Sequence, residues 1–237
     1  LAGRDGVPVI QRYQVFRATA AIVVAFAAAV TPVWGAPTAA ASNTTHIAVI
    51  GDSYTAGSDE GGNGARSWTE LAWNLLAQRG LDVEADVAAE GGAGYGHPGD
   101  RGRVFEDLTA QAVQRSDALV VFFGSRNDQP VDPQKFPSLA ASTFKLARFT
   151  APDAKFLIIG PPWPTATPPP EVLKIRDSLR AVASAGPAQF VDPIAEGWFV
   201  DRPELIGADG VHPTDAGHAY MAERIAPLIY SQLTIQV

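Results

Sequence analysis

Ser53, Asp209 and His212 are residues whose types and spacing could carry covalent chemistry. Ser53 closes the run Ile47-Ala48-Val49-Ile50-Gly51-Asp52-Ser53, in which four consecutive apolar residues lead into a polar turn. Such a run reads as a strand buried on both faces that delivers a hydroxyl at its carboxyl end. A serine is a poor nucleophile at its own pKa and needs a neighbouring base, which His212 could supply. Asp209, three residues earlier in a turn with Gly210, could face the imidazole, fix its tautomer and stabilise the imidazolium formed on proton transfer. Attack on an ester carbonyl creates an oxyanion, so hydrogen-bond donors must be aimed at it in advance. The candidates are the backbone N–H groups of Ser53 and Gly91 and the side-chain amide of Asn127. Glycine suits the second place because backbone must approach the substrate with no Cβ in the way.

Each of these residues follows a short apolar run, and together those runs predict the frame. Strands are expected near residues 47–50, 81–87, 118–123, 155–159 and 189–191. Between them lie helical patterns: Trp68 to Leu76 stopped by Gly80, residues 104–114, residues 138–149, Val172 to Val182, and a closing helix carrying Met221, Ile225, Leu228 and Ile229. Alternation of this kind predicts an α/β fold, a three-layer α/β/α sandwich around a flavodoxin-like five-stranded parallel sheet in the order 2-1-3-4-5. Parallel strands bring all their carboxyl ends to one edge, so Ser53 and His212, far apart in sequence, could meet there.

Composition sets the limits. The 237-residue chain is 46% hydrophobic, 18% charged and carries a net charge of −7, enough for one domain with a sizeable core. It has no cysteine, which rules out thiol catalysis, disulfides and thiolate metal sites. Arg4, Arg12 and Arg17 precede an uncharged stretch of 13 apolar or small residues from Ala18 to Val30, then Pro32 and small residues up to Ala41. That pattern predicts a secretory signal peptide over residues 1–41, with an uncleaved anchor as the alternative; either would place the domain of residues 42–237 outside the cytoplasm, secreted or on the cell envelope. The acidic body has no basic patch, which argues against nucleic acid as a partner. A monomer is expected.

Taken together, the residues resemble the SGNH hydrolases, also called GDSL esterases and lipases. The resemblance spans about His46 to Leu233. Gly51-Asp52-Ser53 looks like the first block, Gly91 falls where the oxyanion glycine is expected, Gly124 to Asp128 looks like the Gly-x-Asn-Asp block, and Asp209 to Pro213 is similar to the Asp-x-x-His block. Membership implies a serine ester hydrolase with no metal or organic cofactor, an open site, and small-molecule, glycan or lipid esters as substrates. Short-to-medium acyl or acetyl esters are favoured over bulk triglyceride, since no long hydrophobic lid is evident. Two departures stand out. Ala89-Glu90-Gly91-Gly92-Ala93-Gly94 lacks the two polar residues usual in the second block, so Gly91 is preferred to Gly92 only by position. The third block has Ser125-Arg126 between Gly124 and Asn127, one residue more than usual.

Other candidates are weaker. His46 and His218 read as structural, His97 sits in the glycine-rich loop within possible reach of the site, and Asp52 and Asp128 read as backbone-bonding turn residues. Tyr54, Tyr95, Trp163, Trp198 and Phe199 are either a wall for the substrate or packing for the loops. Two other readings remain: an acyltransferase using the same serine, and a flavodoxin-like module in which Ser53, Thr55 and Gly57 cradle a phosphate. The second gives Asp209 and His212 nothing to do.

Overall fold

The computed structural model describes residues 44–234, so the leader expected over residues 1–41 lies outside the described residues. Five strands form one sheet: β1 (Thr45–Gly51), β2 (Val83–Ala89), β3 (Leu119–Phe123), β4 (Lys155–Ile159) and β5 (Ala188–Val191). Their order is β2-β1-β3-β4-β5, and every pairing is parallel, as the sequence predicts. Parallel neighbours need long crossovers. The crossovers and the chain's end carry helices α1 (Ser53–Ala56), α2 (Trp68–Ala77), α3 (Phe105–Ala112), α4 (Phe136–Thr150), α5 (Pro170–Ser184) and α6 (Asp215–Thr234).

Side chains alternate across each strand, and the apolar residues on both faces divide the core into two halves. Ile47 and Val49 of β1, with Val121, Phe123 and Ile159, pack against Trp68, Ala72 and Leu76 of α2 and Met221, Ile225 and Ile229 of α6. Ala48 and Ile50, with Val120, Phe122 and Ile158, pack on the opposite face against α3, α4 and α5. This is the three-layer sandwich, with β1 paired on both edges and packed on both faces.

Register then sets the site. Gly51 stands level with Ala89 of β2 and Phe123 of β3, and Phe123 with Ile159 of β4. Ser53, Gly91 and the turn after Phe123 therefore leave the sheet along one rim.

The structure differs from the expected elements in two places that have physical causes. β2 begins at Val83 instead of Leu81, because Leu81 belongs to the end of α2. Its N–H donates to Leu76 O at 3.1 Å and that of Gly80 to Ala77 O at 2.9 Å, with Gly80 at φ +76°. Paired bonds of this kind terminate a helix with a left-handed glycine. The single turn α1, starting at the nucleophile candidate itself, has no apolar period to announce it.

Candidate active site

The turn after β1 fixes Ser53 before any distant residue arrives. Asp52 caps α1, its Oδ1 accepting the Tyr54 N–H at 2.9 Å, which satisfies one of the donors left open at a helix start. Ser53 is the first residue of the helix, with its N–H pointing out of it and 8% of its surface exposed.

The loop before α6 brings the other two members. His212 Nε2 lies 3.0 Å from Ser53 Oγ, and His212 Nδ1 lies 2.5 Å from Asp209 Oδ2. The other oxygen of Asp209 accepts the N–H groups of Val211 at 2.8 Å and His212 at 2.9 Å. Partial burial pushes the Asp209 carboxyl up, but these bonds from the His212 backbone, the His212 ring and Val211 outweigh it and hold it down at about 2. An ionised Asp209 only accepts, so Nδ1 carries the ring proton and Nε2 is free to accept from the serine hydroxyl. The arrangement can therefore remove the hydroxyl proton and stabilise the resulting imidazolium.

Two further residues hold that loop, and neither stands out in the sequence. The Tyr54 hydroxyl donates to Val211 O at 2.5 Å, tying the turn that carries Ser53 to the loop that carries His212. The Glu60 carboxylate accepts the N–H groups of Ala208 at 3.1 Å and Asp209 at 3.3 Å. A Cβ at Gly207 would collide with the Glu60 carboxylate, so this approach needs glycine there. Tyr54 reads as an aromatic wall residue in sequence, and Glu60 is one loop glutamate among many; only the fold links them to residues about 150 positions away.

The other oxyanion candidates, Gly91 and Asn127, sit in the turns after β2 and β3. Among the described residues no acceptor takes the N–H of Ser53, Gly91 or Gly92. The Glu90 N–H donates to Gly51 O at 3.2 Å, which brings Gly91 beside the turn that carries Ser53. Asn127 Nδ2 donates to Ala93 O at 2.9 Å and lies 3.5 Å from Asp52 Oδ2, so one amide hydrogen is engaged firmly and the other only loosely. The longer third block is absorbed locally. Ser125 Oγ donates to Ala93 O at 3.1 Å and accepts the Asn127 N–H at 3.0 Å, capping a short 3-10 turn over Arg126–Asp128 that keeps Asn127 at the rim.

Asp128 does bond backbone, but not as a local turn residue. Its two oxygens accept the N–H groups of Tyr95, Gly96 and His97 at 2.8–3.0 Å, anchoring the glycine-rich loop from about thirty residues away. A Cβ on Gly94 would come within 2.5 Å of this carboxylate, which explains a glycine there. Burial pushes the Asp128 carboxyl above the usual carboxylate range, against those three bonds. Asp52, fully buried, is pushed up to about 7 by burial, against the Tyr54 N–H bond and the charges of Arg126 and His212.

The remaining candidates fall into place as structure. Burial lowers His218 to about 4; its Nδ1 accepts the Trp68 N–H at 3.2 Å, capping α2. His97 turns back on its own loop, Nδ1 lying 2.9 Å from Gly92 O, and His46 pairs with Glu84 at 3.7 Å. Tyr54, Tyr95, Trp198 and Phe199 are each 1% exposed and pack as core, which removes them as a substrate wall. Trp163 alone of the five stays partly exposed, with Arg126 stacked on it at 4.1 Å. Among the described residues there is no group of three or more His, Asp or Glu side chains that could hold a metal ion.

The comparisons with known proteins concern the family and the fold. Residues 49–220 match the GDSL-like Lipase/Acylhydrolase family. The chain is 65% identical over 190 residues to GDSL lipase Rv0518 of Mycobacterium tuberculosis, covering 79% of this chain and 82% of that protein. Among solved structures, TesA superposes with a TM-score of 0.60 at 26% identity, over 80% of this chain and 98% of its own. A family two carbohydrate esterase from Clostridium thermocellum, in complex with cellohexaose, reaches 0.63 at 21% identity over 80% of this chain and 64% of its own, a likeness of fold alone. A catalytic-type serine at the rim of a five-stranded parallel sheet and a family match over most of the chain lead to one conclusion: this protein belongs to the GDSL-like lipase/acylhydrolases, the SGNH hydrolases, and is a serine esterase or lipase.

Proposed function

We propose that the protein hydrolyses short-to-medium acyl or acetyl esters through a Ser53–His212–Asp209 triad and an acyl-enzyme intermediate. The observation that carries this reading is the continuous path from Asp209 through His212 to the Ser53 hydroxyl, with links of 2.5 and 3.0 Å. In the first half-reaction Ser53 Oγ attacks the ester carbonyl while its proton passes to His212 Nε2. Negative charge collects on the former carbonyl oxygen, where the N–H groups of Ser53 and Gly91 and the second amide hydrogen of Asn127 receive it. One such donor lowers the barrier by roughly 3 kcal/mol. The carbon–oxygen bond to the alcohol then breaks, and His212 returns the proton to the leaving oxygen. Water, deprotonated by the same imidazole, repeats the sequence on the acyl group and frees Ser53.

Openness supports the substrate class. The side chains of His212 and Asp209 are 28% and 36% exposed, so a compact ester can reach the serine from solvent. Acetylated glycans are included because carbohydrate esterases share the fold, although fold alone does not set a substrate. Every proposed group comes from one chain, in keeping with a monomer. Export, to the medium or the envelope, is proposed from the leader in the sequence.

Initial rates on para-nitrophenyl esters from acetyl to palmitoyl test the substrate class. The specificity constant is expected to peak at the short end; a maximum at palmitoyl would overturn the chain-length assignment.

A further inference from the structure

Arg126 is a cation with no carboxylate in contact. Among the described residues its guanidinium meets no carboxylate within ion-pair distance; it lies against the Tyr54 hydroxyl, a neutral partner, and its Nη1 is sealed from solvent with no hydrogen-bond partner. A charge withdrawn from water without a partner is costly, and stacking on an indole recovers only part of that cost. The two nearby carboxyl groups are both committed elsewhere. Asp52 is directed at the Tyr54 N–H and the Asn127 amide, and Asp128 at three backbone N–H groups of the glycine-rich loop.

Placement gives the lone cation a use. Arg126 immediately precedes Asn127 in the turn after β3, and Trp163, beneath it at 4.1 Å, comes from the loop after β4, the next strand in the sheet. Its charge is felt by Asp52 and Tyr54, the two neighbours of Ser53 in sequence. With Trp163 backing one face and the Tyr54 hydroxyl meeting part of the edge, the unpartnered Nη1 side is what is left for a ligand, and a planar guanidinium suits a carboxylate-like group. Because the guanidinium has already lost much of its water, pairing with an anion costs it little further solvation.

Resting on the esterase reading above, we propose that Arg126, backed by Trp163, is a specificity-determining subsite for esters that carry an oxyacid anion near the scissile carbonyl, a carboxylate being the simplest probe.

Two matched pairs of esters test it, with the wild type, Arg126→Gln and Arg126→Lys. One pair carries the anion on the acyl side, para-nitrophenyl hydrogen succinate against para-nitrophenyl butyrate. The other carries it on the alcohol side, para-acetoxybenzoate against para-acetoxybenzamide. The readout is the ratio of kcat/KM for the charged and neutral members, which does not depend on the fraction of enzyme that folds. In at least one pair this ratio should fall by about tenfold or more in Arg126→Gln, as expected for a lost charge-assisted bond, and less in Arg126→Lys. The affected pair identifies the side on which the anion sits. Unchanged ratios in both pairs would overturn the proposal, since a residue that merely props Trp163 would slow charged and neutral esters alike. Mapping a fluorophosphonate adduct on wild-type Ser53 separates the two readings: an adduct with unchanged ratios defeats the subsite alone, whereas no adduct defeats the triad.

Discussion

At the residue scale, the chemistry depends on which ring nitrogen of His212 bears the proton. Asp209, held ionised by three hydrogen bonds, fixes that proton on Nδ1 and leaves Nε2 as the acceptor 3.0 Å from Ser53 Oγ. Asp209→Asn keeps the shape but places an amide donor opposite Nδ1, favouring the tautomer in which Nε2 cannot accept. A loss in kcat on the order of a thousandfold or more is expected from steady-state kinetics, with the fold intact by circular dichroism. That these three side chains could meet was legible in sequence because Ser53 closes an apolar run, Asp209 and His212 follow the last one, and only a few side-chain types can do the proposed work. Gly91 is preferred by position alone, since Gly92 beside it offers an equally unengaged N–H. The aromatic side chains misled for a plain reason: composition shows that a tyrosine or tryptophan is near a loop, not which way it faces. Tyr95 faces Phe105, Phe136 and Phe144 in the core.

At the scale of elements, the site exists because four turns are tied to one another as well as to the sheet. Tyr54 binds the first turn to the last, Ser125 and Asn127 both bond the carbonyl of Ala93, and Asp128 holds the remainder of the glycine-rich loop. Tyr54→Phe removes the hydroxyl's bond to Val211 O and its contact with Arg126 while keeping the edge-on packing against Phe123 and Phe199. The expected cost is about 1 kcal/mol of stability by denaturant titration, together with a fall in kcat larger than any change in KM. Glu60→Ala should likewise lower kcat, by releasing the N–H groups of Ala208 and Asp209, whereas Glu60→Gln, still able to accept both, should recover most of it. The five strands could be read from apolar runs, most plainly β1, β3 and β4, which are buried on both faces, whereas their order is an expectation by analogy with folds of this class. The tethers could not, since a polar side chain reaching across 30 to 150 residues leaves no periodic trace.

Across the whole molecule, two buried groups near the rim give stability opposing dependences on pH. Asp52 titrates near 7 in the folded chain against an ordinary 3.8, because burial disfavours its charge. Between those values the folded state holds a proton that the unfolded state has released, so this term makes stability fall as pH rises. His218 does the reverse: burial lowers it to about 4 from 6.5, and the unfolded state takes up the proton first as pH drops. Its contribution is complete above 6.5 and is lost towards 4. Asp52→Asn retains an oxygen to cap the Tyr54 N–H and removes only the first of these terms. The variant should be more stable than wild type at pH 8, on the order of 2–4 kcal/mol, with the difference vanishing near pH 4. Urea unfolding at the two pH values would measure it; an equal difference at both would show that Asp52 is not the titrating group. None of this was legible in the sequence, where Asp52 and His218 read only as a turn residue and a structural histidine.

The claim on which the rest depends is that Ser53 is the nucleophile and His212 its base. Incubation with a fluorophosphonate, followed by peptide mass spectrometry, measures it most directly, because the reagent stays bonded to an activated serine. A single adduct on Ser53 is expected in the wild type, formed far more slowly in His212→Ala and not at all in Ser53→Ala. An adduct on another residue, or labelling of Ser53 at the same rate without the imidazole, would contradict it.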